Sequence, residues 1–166
     1  MREFLIVATV ALGSSTLRAQ RIDTSQADWT GVEQALGRRG LPQPGGVMRF
    51  GFPRGDLHVS IGDVQLLPAL ALGGWVAFMR NGATATLMGD LVLAEDEISL
   101  VVDQLMKGGI DVTAVHNHLL GESPHVMYAH IRGQGDATRL AGSVRAALEL
   151  TKTPLAQPLA VTAARI

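Results

Sequence analysis

The dipeptide Asn81-Gly82, set between the runs "GGWVAFMR" and "ATATLMGDLVL", constrains this chain more than any other feature. Asn-Gly adopts the left-handed backbone of a tight hairpin turn, so the two runs are expected to pair antiparallel. A second hairpin is expected earlier, from "VMRFGFPR" and "LHVSIGDVQLL" with a Gly-Asp turn between them. A third strand pair follows from "IDVTAVHNHLL" and "HVMYAHIRG".

Helices separate these pairs. Residues 28–38 place Trp29, Val32, Ala35 and Leu36 at helical spacing, with Asp28 as a cap and a Gly/Pro-rich stop after them. "AEDEISLVVDQLMKGG" has acids in its first turn, Lys107 in its last and Gly108-Gly109 beyond. "DATRLAGSVRAALEL" is capped by Asp136 and carries Leu140, Val144 and Leu148 on one face. The order is α-ββ-ββ-α-ββ-α. Hairpins with intervening helices predict an α+β fold: an antiparallel sheet with helices packed on one face. "VEQALGRRG" before "LHV" echoes "VDQLMKGG" before "PHV", which marks a candidate duplicated helix-hairpin unit.

The length of 166 residues suits one domain with a real core. The N-terminal "MREFLIVATVALGSSTLRAQ" has the charged start, short apolar run and small residues of a secretory signal peptide, expected over residues 1–19. The competing reading is a buried N-terminal strand or helix. Residues 20–151 then form the α+β domain, and 152–166 a tail with two prolines, expected to be poorly ordered. With export, the protein is expected in the periplasm or outside the cell. The net charge of −1 and the absence of a Lys/Arg stripe argue against a nucleic-acid partner. Cysteine is absent, which excludes disulfides, thiolate ligands and attachment to a membrane through a lipidated cysteine. Oligomeric state is not readable.

Four of the five histidines, His116, His118, His125 and His130, fall within fifteen residues, with Glu122 among them. On a strand, residues two apart share a face, so His116 and His118 project together and Asn117 points away. Two such imidazoles can close on one ion at roughly 2.0–2.1 Å each for zinc. The next strand must add a third ligand. His125 and His130 are five apart, so a regular strand sends them to opposite faces, and without a bulge only one joins the pair. A register opposing 118 to 125 selects His125; one opposing 114 to 130 selects His130. Glu122 is a candidate fourth ligand, or a base acting on a metal-bound water. Glu97, at a strand-to-helix junction, is the second candidate base. Asp90 and residues 95–97 form an acidic patch that capping and the helix dipole also explain. His58 reads as a surface residue.

Two look-alikes fit less well. "HNH" matches a nuclease motif only in its letters, and the chain lacks a basic surface. His116, His118 and Glu122 match half of the first cupin motif, but the second motif is missing. No Lys-bearing phosphate loop and no GxSxG elbow occur.

The stretch "MGDLVLAEDEISLVVDQLMKGGIDVTAVHNHLLGESPHVMYAHIRGQGDATRLA", with the earlier "FPRGDLHVSIGDVQLLPALALGGWVAF", resembles the LppY/LpqO-like family of exported bacterial proteins, a domain of unknown function. The resemblance covers roughly residues 25 to 150. It implies export and a shared histidine site made of the HNH pair and a later histidine at the place of His130. It shifts the third ligand toward His130, since family members usually carry Arg where this chain has His125. Some members are lipoproteins; this chain lacks the cysteine they use. The expected function is therefore an exported metal-binding protein for a divalent metal, zinc or copper, with ligands drawn from His116, His118, His130 and His125. Two alternatives are a small metal-dependent hydrolase using Glu122 or Glu97 as base, and a metal-free module that binds a small polar ligand.

Overall fold

The computed structural model describes residues 28–155. The expected signal peptide, residues 1–19, and most of the expected tail, residues 152–166, lie outside them. In chain order the described residues form α1 (Thr30–Leu36), β1 (Leu41–Gln43), β2 (Val47–Pro53), β3 (Ser60–Ile61), β4 (Val64–Gln65), β5 (Gly73–Asn81), β6 (Thr84–Ala94), α2 (Ile98–Lys107), β7 (Asp111–His116), β8 (Glu122–Ser123), β9 (Val126–Gly135) and α3 (Ala137–Leu148).

Six strands make one antiparallel sheet in the order β1-β2-β5-β6-β9-β7. The fold is α+β, as expected, with the sheet open at β1 and β7 and not closed into a cupin barrel. The central hairpin β5-β6 turns at Gly82-Ala83, one residue later than the expected Asn81-Gly82: Asn81 still pairs with Thr84, and it is Gly82 that takes the positive φ, +61°. The apolar side chains of one sheet face (Phe50, Phe78, Leu87, Ile131) meet those of the three helices (Leu36, Leu105, Leu140, Val144) in one buried cluster. Asp136 caps α3 by accepting from the Arg139 amide at 2.7 Å. The pairs led by α1 and α2 lie at opposite edges of the sheet, β1-β2 at one and β7-β9 at the other.

The earlier hairpin differs from expectation. β2 does not pair with the segment after it; it pairs with β1 and with β5. Beyond Pro53 the chain leaves the sheet because Arg54 is drawn inward, only 1% exposed. All five of its N–H donors are used: two go to Asp56, two to Glu97 and one to the Val92 carbonyl, at 2.7–3.0 Å. The following residues form the short hairpin β3-β4, and β3 pairs with β8. This small sheet belongs to the face opposite the helices. There Val59, Leu72, Val92, Val126 and Tyr128 make a second, smaller buried cluster. The histidine-bearing strand β9 therefore packs apolar residues on both faces.

No helix among the described residues is long and apolar enough to cross a membrane.

Candidate metal centre

β9 alternates: Ala129 and Ile131 enter the helix-side core, while Val126, Tyr128 and His130 stand on the other face. β7 runs antiparallel beside it and carries a bulge at Thr113, between Val112 and Ala114. The bulge changes the parity of the strand. Val112 opposes Ile131 and packs on the helix-side core, but Ala114 opposes His130 and His116 opposes Tyr128. His116 therefore shares the face of His130. Of the two registers weighed above, the structure has 114 against 130.

β7 ends at His116, and His118 lies just beyond it. His118 is nevertheless held, because its ring stacks on Tyr128 at 3.7 Å between centroids and 17° between planes. Tyr128 is fixed in turn by donating its hydroxyl to the Ala71 carbonyl at 2.8 Å. The His116 ring lies 4.8 Å from that of His118 and 4.9 Å from that of His130.

One nitrogen from each of His116, His118 and His130 can be chosen so that all lie within 4.8 Å of one another, which could hold a metal ion. Three nitrogens on one zinc sit roughly 3.3 Å apart, from bonds of about 2.0–2.1 Å in a tetrahedral arrangement. Small rotamer movements close that difference. His116 and His130 are partly exposed and His118 is exposed, so an ion can enter from solvent. Nδ1 of His116 lies 3.2 Å from the Asn117 carbonyl. A carbonyl only accepts, so this contact favours a proton on Nδ1 and leaves the Nε2 lone pair free to coordinate.

His125 does not join the group. It precedes β9, with 58% of its side chain exposed, and its Nδ1 is 2.7 Å from Oε1 of Glu122. The odd spacing from His130 and the loop geometry turn it away from the triad. Glu122 itself is buried on β8, with Oε2 unpartnered among the described residues. Its hydrogen bond with His125 holds the carboxyl below its usual value, against the opposing effect of burial.

Glu97 is also buried, but its oxygens are engaged. They bind Arg54 at 2.7 and 3.0 Å and accept from the backbone amides of Ala94 at 2.9 Å and Lys152 at 3.1 Å. Burial lowers the Arg54 pKa, yet the hydrogen bonds and charges of Asp56 and Glu97 outweigh it, and the guanidinium ends above its ordinary value. Glu97 is thus the anchor of a structural clamp. His58 is exposed, with only a 3.5 Å contact to Gln65, and stays outside the triad.

Tyr128 and Thr113 were not visible as functional residues in the sequence. The signal for Tyr128 is its place two residues before His130, on the same face of a strand. The bulge at Thr113 left no local signal. Asp90, grouped above with the helix-start acids, lies on β6 directly opposite His130. Burial, then the charges of Asp90 and Glu122, push the Tyr128 phenol above its ordinary value.

A family model described as Domain of Unknown Function (DUF1259) matches residues 30–150. No curated protein and no solved structure matches the chain.

Proposed function

The chain belongs to that family, whose description names no activity, and from the geometry of the site we propose that the protein binds one divalent transition metal through His116, His118 and His130. The observation that carries this is the convergence of three imidazole nitrogens, one from each residue, within 4.8 Å. Three imidazoles without a thiolate suit zinc, or copper by its higher place in the affinity order. The protein acts outside the cytoplasm, in the periplasm or secreted. The signal-like N-terminus and the resemblance to LppY/LpqO-like exported proteins support this location.

Elemental analysis of untagged protein tests the reading, beside a His116→Ala/His118→Ala variant. About one zinc or copper per chain, lost in the variant, is expected. Absence of metal in both, with no thermal shift on adding Zn²⁺ or Cu²⁺, overturns it.

A second reading has one observation in its favour. Three protein ligands leave a fourth position open on a tetrahedral ion, the pattern of catalytic zinc. Glu122, with an unpartnered oxygen, is then the candidate base. Turnover of an ester or amide, lost in Glu122→Gln with metal content unchanged, separates this hydrolase from a carrier.

A further inference from the structure

We infer that Asp90 is a fourth protein ligand of the same ion, so that the site is a closed set of three imidazoles and one carboxylate. The inference rests on the metal-binding reading and decides between its two forms.

Asp90 sits in the middle of β6, opposite His130 on one side and Trp75 on the other. Directly opposed residues of antiparallel strands share a face, with Cβ atoms about 4.5–5.5 Å apart. The carboxylate therefore stands beside His130 on the face that carries the triad.

Oδ1 of Asp90 is closed off from solvent and has no hydrogen-bond partner among the described residues. A buried carboxylate oxygen without a donor is unfavourable unless a cation or a buried water completes it. The neighbouring cations are engaged elsewhere. Arg132 pairs with Asp111 at 3.1 Å, and Arg49 lies over the Trp75 ring at 4.6 Å. Arg54 is saturated by Asp56, Glu97 and Val92. Nor does Asp90 cap a helix, since it lies within a strand. Asp90 stands outside the three nitrogens that already converge within 4.8 Å, so its side chain must turn toward His130 to join them. An ion that draws it in gains a charged ligand, and the bare oxygen gains a partner.

Four protein ligands fill the coordination of a tetrahedral ion. The bound ion then has no water to activate, and the protein holds or delivers metal without hydrolysing anything at it.

Cobalt(II), loaded into the full untagged chain, reads both points. Its visible spectrum reports coordination number, and azide changes that spectrum only by entering an open or water-filled position. Wild-type protein is expected to give an intense four-coordinate spectrum that azide leaves unchanged. Asp90→Asn is expected to lower zinc affinity, in competition with a chelator, by more than the roughly 10–100-fold that loss of an outer-shell partner costs, and to make the cobalt spectrum azide-sensitive. An azide response in the wild type overturns the closed site without needing any variant. Unchanged affinity in Asp90→Asn overturns the role of Asp90. So does reduced affinity with an unaltered spectrum, which puts the carboxylate outside the coordination sphere. Failure of the metal reading itself looks different, because wild-type protein then takes up neither zinc nor cobalt. A metal-free Asp90→Asn protein at least as heat-stable as metal-free wild type shows that the variant folds; Asp90→Ala serves if it does not.

Discussion

Glu97 and Glu122 are two buried carboxylates whose surroundings give them different work. Glu97 meets Arg54 with both oxygens and holds two backbone amides besides. Replacing one partner of a buried pair leaves an uncompensated charge, at about 3–5 kcal/mol. Because Asp56 still faces Arg54, Glu97→Gln should fall at the lower end, about 3 kcal/mol, in denaturant unfolding, with zinc stoichiometry unchanged. Loss of metal at native stability would instead assign Glu97 to the site. Acids at the start of α2 were legible from the sequence, as helix-start chemistry is local. Arg54, 43 residues earlier in the chain, was not, because nothing near Glu97 names its partner. Glu122 was legible as a neighbour of the cluster, yet its hydrogen bond with His125 takes both residues out of the triad.

At the scale of elements, the triad depends on one extra residue in β7. In a regular strand Val112, Ala114 and His116 share a face, and Val112 belongs to the core. The bulge at Thr113 lets Val112 stay in the core while His116 turns to the opposite side. Deleting Thr113 alone should remove the bulge and keep every observed pairing, so zinc stoichiometry should survive. Deleting Thr113 and Ala114 together should slip the strand by one, oppose Val115 to His130 and aim His116 at the helix-side core. That variant should lose zinc binding by direct titration. Equal loss in both deletions would show that the bulge itself, and not its parity, shapes the site. The same contrast marks what the sequence reveals about elements. The β5-β6 hairpin was legible because a turn signal is local, although Gly82 and Ala83 make the turn and Asn81 stays in the strand. The pairing of β2 with β5 was not, because a strand partner 20 to 32 residues away is chosen by the core and by the burial of Arg54. Strand parity told which histidines compete, but the register that chose His130 belongs to the assembled sheet.

At the scale of the whole molecule, the helices cover one sheet face and the triad occupies the other. Its ligands come from β9, inside the sheet, and from β7 and the residues just past it, at an edge. An ion held by all three therefore crosslinks an edge to the interior. An edge strand is paired on one side only, so it opens more easily than the centre. Binding to the folded state alone stabilises it by about 2.7 kcal/mol at a free concentration one hundred times Kd. For a domain of this size that corresponds to a rise in Tm on the order of 10 °C. The rise should vanish in the His116→Ala/His118→Ala variant. Its distribution should be uneven: hydrogen exchange at β7 amides should slow more on adding zinc than exchange at β5 and β6, which the core already protects. A uniform slowing, with the rise in Tm intact, would mean that the ion acts on global unfolding alone and does not fasten the edge.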